Sequence, residues 1–424
     1  LYSESNDCHK LLCKLATMKS LKVDRRTFVQ SGAAGFAVFA AGGLNAQANF
    51  TGVSGSAAEG SELLAAIARL NELGPLLPPD ENGVRLPAGF RSRIVARSGQ
   101  APSNNSRVVW HPAPDGGAVF ASADGGWVYA SNSELRNAQG GVRALRFDSS
   151  GTVVDCYSIL ENTTSNCAGG ATPWGTWLSC EEHEQGLVFE CDPQQAGNGA
   201  ARPLLGRFEH EAVAVDLIND QLYLTEDQRD GGFYRFTATR GLPDLSAGQL
   251  EIASVVQRGE RHIVEWLPVP DPLASTTATR YQVAGSHAFR GGEGIAFHDG
   301  TIYFTTKRDN RVWSYHIASS ELSIIYDIDT SDDPLLAGVD NVTVTPRGDV
   351  LVAEDGGDMQ LVVLAPSQDG EQFDVIPLLQ VVGHEASEIT GPAFDPSYTR
   401  LYFSSQRGAE GSNEFGVTFE ISKA

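Results

Sequence analysis

The stretch Glu211–Asp227, EAVAVDLINDQLYLTED, decides the fold. Two short segments rich in Val, Leu and Tyr flank a turn containing Asn219 and Asp220, and the second segment ends in two acids. A third short apolar segment, GFYRF, follows at 232–236. Short β-branched and aromatic segments separated by Asn and Asp are typical of antiparallel strands joined by tight turns. The stretch therefore predicts a small sheet of three or four strands.

The same unit recurs along the chain. Clear copies begin at Glu293 (EGIAFHDGTIYFTTK, then RVWSY) and at Asp340 (DNVTVTPRGDVLVAED, then LVVLA). Less regular copies cover Trp110 to Phe147, Thr172 to Cys191 and Thr390 to Ile421. Because one such sheet cannot bury both of its faces, six copies predict an all-β, six-bladed β-propeller. The alternatives are a β-sandwich and a two-domain β protein.

The regions outside the repeats suggest how the domain is bounded. Residues 61–73 have helical spacing, with Ser61 as the N-cap, and predict a short helix outside the main domain. We expect residues 49–85 to be a linker that includes this helix, and 86–424 to be the propeller. Phe90 to Ser98 is expected to complete the last blade. The insert between Thr237 and Arg290 suggests a lid or an elaborated loop.

The N-terminal region predicts export. Arg25 and Arg26 precede the apolar run Gly32 to Leu44, and Ala46-Gln47-Ala48 fits a cleavage site. Paired arginines before a modest apolar run favour the twin-arginine export machinery over a general secretory signal with a chance arginine pair. We assign residues 1–48 to this signal, with Met18 as a possible true start, and expect a periplasmic or secreted protein. The apolar run is too short for stable membrane insertion.

The acidic balance limits the classes of partner. The formal net charge is −22, and the sequence has no stripe of Lys and Arg that could follow a phosphate backbone. This composition argues against nucleic-acid binding. It fits cation binding, and it fits solubility alone equally well.

Acids recur at matching positions of the repeats. In an antiparallel pair the start of one strand and the end of the next lie on the same side, so these acids are expected at one mouth of the propeller channel. The starts of first strands carry Glu211, Glu293 and Asp340, and the ends of second strands carry Glu181, Glu182, Glu226, Asp227, Glu354 and Asp355. Divalent cations would relieve their mutual repulsion. The alternative is that they are turn-capping acids, repeated because the blades are. Glu388 is a weaker candidate, because its offset from the strand differs.

A sulfur ligand is expected beside these acids. The stretch Asn166–Glu182, NCAGGATPWGTWLSCEE, combines Cys167 with the pair Glu181-Glu182. A thiolate favours iron or zinc, whereas carboxylates favour calcium or magnesium, so the stretch suggests a centre with two kinds of metal. The alternative is a buried thiol or a disulfide, with the pairing among Cys156, Cys180 and Cys191 left open.

This stretch resembles the signature of the PhoX-type alkaline phosphatases. The similarity continues through LPAGF (86–90), WHPAPDGGAVFASADGGWVYASNSE (110–134), GGVRALRF (140–147), HEAVAVD (210–216), YLTEDQRDGGFYRF (223–236) and GEGIAF (292–297). The resemblance implies a six-bladed propeller with iron and calcium as cofactors.

Individual roles follow from the resemblance residue by residue. Cys167 matches the cysteine that bridges the iron pair, and Glu182, with Glu181, matches the acidic pair after it. Glu211, Glu293 and Asp340 match the glutamate of the HEA motif, the glutamate of an Arg-X-Glu motif and the aspartate of an SPDG-like turn. Two departures stand out. Arg290 precedes Glu293 by three residues rather than two, and the SPDG turn is GVDN here.

The predicted reaction is metal-assisted hydrolysis of a small phosphate monoester. Such chemistry needs positive charge around the phosphoryl oxygens, for which Arg290 and Lys307 are candidates and Arg308 a surface charge. No zinc-protease motif, P-loop or serine elbow is present in the sequence, and His210 is expected to support the blade core. A non-catalytic, calcium-stabilised binding propeller and a calcium-only lactonase- or phytase-like hydrolase are the alternatives. We expect a monomer.

Overall fold

Short strands joined by tight turns form nearly all of the regular structure. The computed structural model describes residues 60–424, with the exception of 198, 332–333 and 368–372. The predicted signal region 1–48, with its arginine pair, lies outside the described residues, as do residues 49–59.

Twenty-six strands and one α-helix are found among the described residues. The helix is α1 (Glu62–Ile67). The first strands are β1 (Val84–Arg85), β2 (Phe90–Arg97), β3 (Pro114–Ala121), β4 (Trp127–Ser133), β5 (Gly140–Phe147), β6 (Val153–Thr163), β7 (Asn166–Ala171), β8 (Trp177–Glu181), β9 (Val188–Cys191) and β10 (Gly199–Ala201). Next come β11 (His210–Asp216), β12 (Gln221–Glu226), β13 (Phe233–Ala238), β14 (Gly248–Arg258), β15 (Arg261–Pro268), β16 (Gly292–His298), β17 (Thr301–Thr306), β18 (Arg311–His316) and β19 (Glu321–Asp327). The last are β20 (Val339–Val344), β21 (Val350–Glu354), β22 (Gln360–Pro366), β23 (Phe373–Val381), β24 (Ile389–Phe394), β25 (Arg400–Ser405) and β26 (Val417–Lys423).

The strands form antiparallel sheets in an all-β, propeller-like arrangement with few helices. Four sheets have four or five strands, in the orders β3-β4-β5-β6, β7-β8-β9-β10, β20-β21-β22-β23-β1 and β24-β25-β26-β2. The fifth has nine strands, in the order β11-β12-β13-β14-β15-β19-β18-β17-β16. Two of the predicted units are therefore joined in one sheet, and the count of six blades stays a prediction.

The innermost strand of each repeat faces a central channel. The strands β3, β7, β11, β16, β20 and β24 contact one another in this order, and β24 contacts β3. Together they line a cavity of about 1350 Å³. Glycines permit this close approach. A Cβ atom on Gly116 would lie 2.5 Å from the Cα of Ala168, and one on Gly294 would lie 2.4 Å from the amide nitrogen of Val342.

Apolar side chains fill the space between neighbouring sheets. Leu178 of β8, Val213 of β11 and Leu224 of β12 belong to one buried cluster, which joins two successive sheets. The alternation of inward and outward side chains along each strand places these residues on the same face. Burial between sheets thus fixes the position of the innermost strands.

An early strand and the last strand of the chain pair in one sheet. β2 pairs with β26 from Phe90 opposite Lys423 to Arg97 opposite Val417, as the sequence predicts for the last unit. The helix α1 is shorter than predicted, and its N-cap Ser61 accepts a hydrogen bond from the amide of Leu64. Leu63 and Ile67 pack in the same apolar cluster as residues of β26. The expectation that the helix lies outside the main domain is therefore wrong, because its apolar face needs the sheets for burial.

The long insert is also different from the predicted lid. Much of it is a hairpin in which β14 pairs with β15 from Glu251 opposite Pro268 to Arg258 opposite Arg261. β15 then pairs with β19, with His262 opposite Leu322. This hairpin joins two predicted units into one sheet, and the later part of the insert contacts the end of β12, where Arg280 pairs with Glu226 at 2.7 Å.

Within the described residues, the structure contains no helix with the length and apolar character required to cross a membrane.

Candidate metal centre

Each innermost strand is irregular near its start. The pairing register with the second strand shifts between Pro114 and Gly117, Asn166 and Gly169, His210 and Val213, Gly292 and Ile295, Val339 and Val342, and Thr390 and Ala393. A bulge of this kind leaves a residue out of the ladder and redirects its side chain. The residues directly after the first member of each pair are Asp115, Cys167, Glu211, Glu293, Asp340 and Gly391. Five of the six innermost strands thus present an acid or a thiol at the same level of the channel.

A second set of polar residues follows the ends of the second strands. These are Glu134, Glu182, Asp227, Lys307, Asp355 and Gln406. Each comes directly after the last residue of the second strand that pairs with the innermost strand. Because successive residues of a strand point to opposite sides, this set faces the channel while the preceding residue faces the blade.

Members of the two sets, together with Glu388, form four groups of three side chains whose potential ligand atoms lie within 4.8 Å of one another. The groups are Cys167–Glu182–Glu211, Glu211–Glu293–Asp340, Asp340–Asp355–Glu388 and Asp115–Glu134–Glu388. Each group shares one residue with the next, and Cys167 Sγ lies 3.6 Å from Asp115 Oδ2. The nine residues therefore form one continuous cluster, which we call the channel cluster.

Three of the sequence-predicted acids point away from this cluster. Glu181 accepts a hydrogen bond from the amide of Leu187, Glu226 from Gly232, and Glu354 from Gln360. In all three the donor is six residues further along, at the start of the third strand. These carboxylates hold the turn between second and third strands, which corresponds to the turn-capping alternative. Asp227 lies beside the cluster and pairs with Arg308 at 3.4 Å.

Burial and mutual repulsion determine the acidities in the cluster. Glu211, Glu293 and Asp340 are no more than 4% exposed. Burial, followed by repulsion from Glu293 and Glu182, raises the pKa of Glu211 well above its ordinary value. Burial and the nearby carboxylates raise the pKa of Glu182 to about 8, and burial, partly offset by Lys307, raises that of Asp340 to about 6. The pKa of the Cys167 thiol is also raised, mainly by burial and then by Asp115.

Two side-chain cations reach the cluster. Lys307 Nζ lies 3.1 Å from Glu293 Oε1 and 3.2 Å from Asp355 Oδ2. Arg407, which the sequence analysis did not single out, lies 3.0 Å from Glu388 Oε1 and 3.4 Å from Asp355 Oδ1. Burial raises the pKa of Asp355, but Lys307, a hydrogen bond with Glu388 and Arg407 together lower it below its ordinary value. Among the described residues, the cluster has eight carboxyl groups and ion pairs with two cations, so most of its carboxyl groups have no side-chain cation there.

The donor set fits bound metal ions. Glu211 Oε2 is buried and has no hydrogen-bond partner, which is costly for a carboxylate oxygen unless a cation neutralises it. Cys167 Sγ lies 3.4 Å from Glu211 Oε1, so sulfur and oxygen ligands are available together on one side. The remaining donors are carboxylate oxygens, which suit calcium.

The remaining predicted residues, apart from Cys167, lie outside the channel cluster. Arg290 is exposed and forms no ion pair within the part of the chain that the structure describes. His210 is buried, lies 3.0 Å from the carbonyl of Gly206 and packs on Phe208, in agreement with a role in the blade core. Cys156, Cys167, Cys180 and Cys191 are all free thiols, so the disulfide alternative is wrong for these four.

Sequence reasoning missed Asp115, Glu134, Gln406 and Arg407, and ranked Glu388 low. Gln406 Nε2 donates to Asp115 Oδ2 at 2.6 Å and to Glu134 Oε2 at 2.9 Å, which ties the first and last sheets together. The signal was available for two of these residues. Asp115 and Glu134 occupy the positions of Glu211 and Asp227 in a less regular copy of the repeat.

A family model and a solved structure, both of PhoX, match this chain. The family model for alkaline phosphatase PhoX matches residues 139–322. A structure of Pseudomonas fluorescens PhoX in complex with vanadate, a transition state analogue, superposes with a TM-score of 0.67 at 15% identity, covering 82% of this chain and 97% of that chain. No curated protein sequence matched the chain.

Two further solved structures give weaker matches. XC5397, a gluconolactonase from Xanthomonas campestris, gives a TM-score of 0.43 at 15% identity, over 83% of this chain and 98% of that chain. The calcium-binding protein regucalcin from Agrobacterium tumefaciens gives 0.40 at 15% identity, over 78% of this chain and 95% of that chain. The match to the PhoX family model and the fold shared with PhoX confirm the resemblance of this chain to the PhoX-type alkaline phosphatase family.

Proposed function

We propose that this chain is an exported, metal-dependent phosphatase that hydrolyses phosphate monoesters at the channel cluster. The observation that carries the proposal is the continuous ring of nine ligand-type side chains, in which the buried Glu211 Oε2 has no hydrogen-bond partner. The match to the alkaline phosphatase PhoX family and the fold shared with a vanadate-bound PhoX support the reaction class. We further propose that the nine-stranded sheet consists of two blades, which makes six in all.

The donor chemistry supports a choice of metals. Cys167, Glu182 and Glu211 would hold iron, because a thiolate favours that metal over calcium. The three all-carboxylate groups would hold calcium. When bound, such ions polarise a phosphoryl oxygen and lower the pKa of a bound water.

The chain's own residues would bind and orient the phosphoryl group. Lys307 uses two ion pairs within the cluster, and its ammonium has a third N–H that can donate to a phosphoryl oxygen. Burial lowers the pKa of Lys307, but Glu293 and Asp340 raise it overall, so the side chain stays charged at neutral pH. Arg290 stays a prediction for the same role, from an exposed position.

A metal analysis combined with an activity assay tests the proposal. The full chain is produced in a bacterial host, purified from the periplasm, and assayed for iron, calcium and hydrolysis of an aryl phosphate. We expect both metals, activity lost after chelation, and activity regained with calcium. Aryl phosphate turnover that chelators leave unchanged would overturn the metal mechanism. Hydrolysis of a lactone without hydrolysis of the phosphate ester would favour the calcium-only alternative.

Export by the twin-arginine route is a separate proposal. It rests on Arg25 and Arg26, which lie ahead of the apolar run. Replacing both by lysine is expected to retain the chain in the cytoplasm, as measured by fractionation. Unchanged export of this variant would point to a general secretory signal instead.

A further inference from the structure

Lys307 occupies a place where the repeat elsewhere puts an oxygen-bearing side chain. The residue that follows the second strand is a carboxylate or an amide in five units: Glu134, Glu182, Asp227, Asp355 and Gln406. In the remaining unit it is Lys307, directly after β17 (Thr301–Thr306). Residues 60–424 contain only one other lysine, Lys423, at the end of β26. A positive charge at this point is therefore an exception both to the repeat and to the composition.

The contacts of Lys307 place its charge between two of the ligand groups. Its Nζ atom lies 3.1 Å from Glu293 Oε1 and 3.2 Å from Asp355 Oδ2. Glu293 belongs to the group with Glu211 and Asp340, and Asp355 to the group with Asp340 and Glu388. The ammonium of Lys307 thus lies between one carboxylate of each of two ligand groups, and these two groups share Asp340.

The geometry of the Lys307 contacts is that of a counter-ion. Glu293 Oε1 lies within ion-pair distance of Nζ but lacks a well-directed hydrogen bond, so the attraction is mainly one of charge. Lys307 has 30% of its side chain exposed, whereas Glu293 has 2%, so the ammonium approaches the cluster from the solvent side. A divalent ion held by the same two carboxylates would lie within a few ångströms of it and be repelled.

We propose that Lys307 is a resident cation that takes the place of one divalent ion in the channel cluster. The cluster then holds one divalent ion fewer than the same arrangement would hold with an acid at position 307. The inference rests on the proposed metal centre, since it concerns how many ions that centre holds.

The test counts calcium directly and does not depend on turnover. The full-length wild type and the variants Lys307→Glu, Lys307→Met, Lys307→Arg and Lys423→Met are saturated with calcium, passed through a desalting column and analysed for calcium per chain. Calcium affinity is measured by titration calorimetry on the same samples. Lys423 is the matched control, because its ammonium lies over the ring of Phe90 and outside the cluster.

We expect Lys307→Glu to bind one calcium ion more per chain than the wild type. Lys307→Met is expected to bind calcium about tenfold more tightly or better, since removal of a unit charge a few ångströms away is worth at least that factor. Lys307→Arg and Lys423→Met should match the wild type. The same calcium count and affinity in all five proteins would overturn the inference.

Folding is followed separately, so that a misfolded variant does not decide the result. If Lys307→Met unfolds early without calcium, the calcium-induced rise in its melting temperature should exceed that of the wild type. An equal or smaller rise counts against the inference. A wild type that binds no metal at all contradicts the proposed function, whereas a metal-binding wild type with an unresponsive Lys307→Glu variant contradicts only this inference.

Discussion

Glu211 has the least compensated charge in the channel. It is fully buried, it belongs to two ligand groups, and one of its oxygens has no hydrogen-bond partner. We expect Glu211→Gln to stabilise the metal-free protein, because the amide cannot ionise at a place where burial and the neighbouring carboxylates oppose a charge. The same change should reduce turnover by at least about 100-fold, the upper end of the cost of disturbing the partner of a metal ligand. Melting temperature with chelator and with calcium, together with aryl phosphate turnover, measures both effects.

Glu226 provides the matched control for Glu211. It is equally buried, but it accepts hydrogen bonds from Gly232 and Tyr234 and pairs with Arg280 at 2.7 Å. Glu226→Gln should therefore destabilise the fold by about 3 kcal/mol, with or without calcium, since it breaks a buried ion pair. A calcium-dependent loss for Glu226→Gln would contradict the division between the two glutamates.

A comparison of Cys167 with Cys191 distinguishes a proposed metal-ligand thiol from a thiol that only packs in the core. Cys167 Sγ lies 3.4 Å from a carboxylate oxygen of Glu211, whereas Cys191 is fully buried and its sulfur lies 3.7 Å from the carbonyl of Phe189. Cys167→Ala is expected to abolish iron binding and turnover, and Cys191→Ala to leave both mostly intact. Metal analysis and the aryl phosphate assay check this pair. Equal losses in the two variants would rule out the ligand role of Cys167.

Spacing alone could identify only part of the cluster. Glu211, Glu293 and Asp340 were found because they begin clear copies of the repeat. The pairs at the strand ends could not be resolved, because Glu226 and Asp227 are adjacent and only the pleat decides which one faces the channel. Glu388 lies two residues before the bulge of β24, and its contact with Asp355 depends on a bridge between separate sheets. Such a contact has no signature in sequence.

At the scale of elements, the bulges and their glycines bring the ligand residues together. A Cβ atom on Gly294 would lie 2.4 Å from the amide nitrogen of Val342 and 2.6 Å from the Cα of Asn341, so the backbone of the next innermost strand would have to move. We expect Gly294→Ala to cost about 1–3 kcal/mol of stability, as overpacking does, and to weaken calcium binding, because Glu293 and Asp340 lie on the two strands that separate. Denaturant unfolding and calcium titration measure the two effects.

The control for Gly294 is Gly199 of β10. There an added Cβ atom would first meet Cδ1 of Leu160, at 2.7 Å, which is the end of a flexible side chain. Gly199→Ala should therefore change stability less and leave calcium binding unaltered. Equal effects of the two substitutions would show that the close approach of β16 and β20 does not position the cluster.

The elements themselves were largely predictable where the repeat is regular. Each clear copy became three successive antiparallel strands, because alternating apolar residues and turn-forming Asn, Asp and Gly specify a local pairing. The insert was misjudged for a physical reason. β14 and β15 form a hairpin that joins two sheets through β19, and pairing between distant strands leaves little trace in local pattern.

At the scale of the whole molecule, the channel cluster holds close together carboxyl groups that are far apart in the unfolded chain. Folding brings eight carboxyl groups from all the sheets to one level of the channel, with Lys307 and Arg407 as the cations that reach them. Repulsion among these groups opposes folding, and the proposed cations would reverse that effect by binding the folded state alone.

This balance predicts opposite pH dependences for the metal-free and the calcium-loaded protein. Folding raises the pKa of Glu182 from 4.5 to about 8, mainly through burial. The unfolded state therefore loses this proton at a lower pH than the folded state does, and the free energy of unfolding falls as the pH rises to about 8. His111 and His210 act in the other direction, since burial lowers each pKa from 6.5 to about 3, but their effect is complete by pH 6.5.

Between pH 6.5 and 8.5 the melting temperature should therefore fall in chelator. With calcium it should hold or rise, because calcium binds the ionised carboxylates. Differential scanning calorimetry at the two pH values checks this, and a parallel fall in chelator and in calcium would show that the channel carboxylates do not bind the ion.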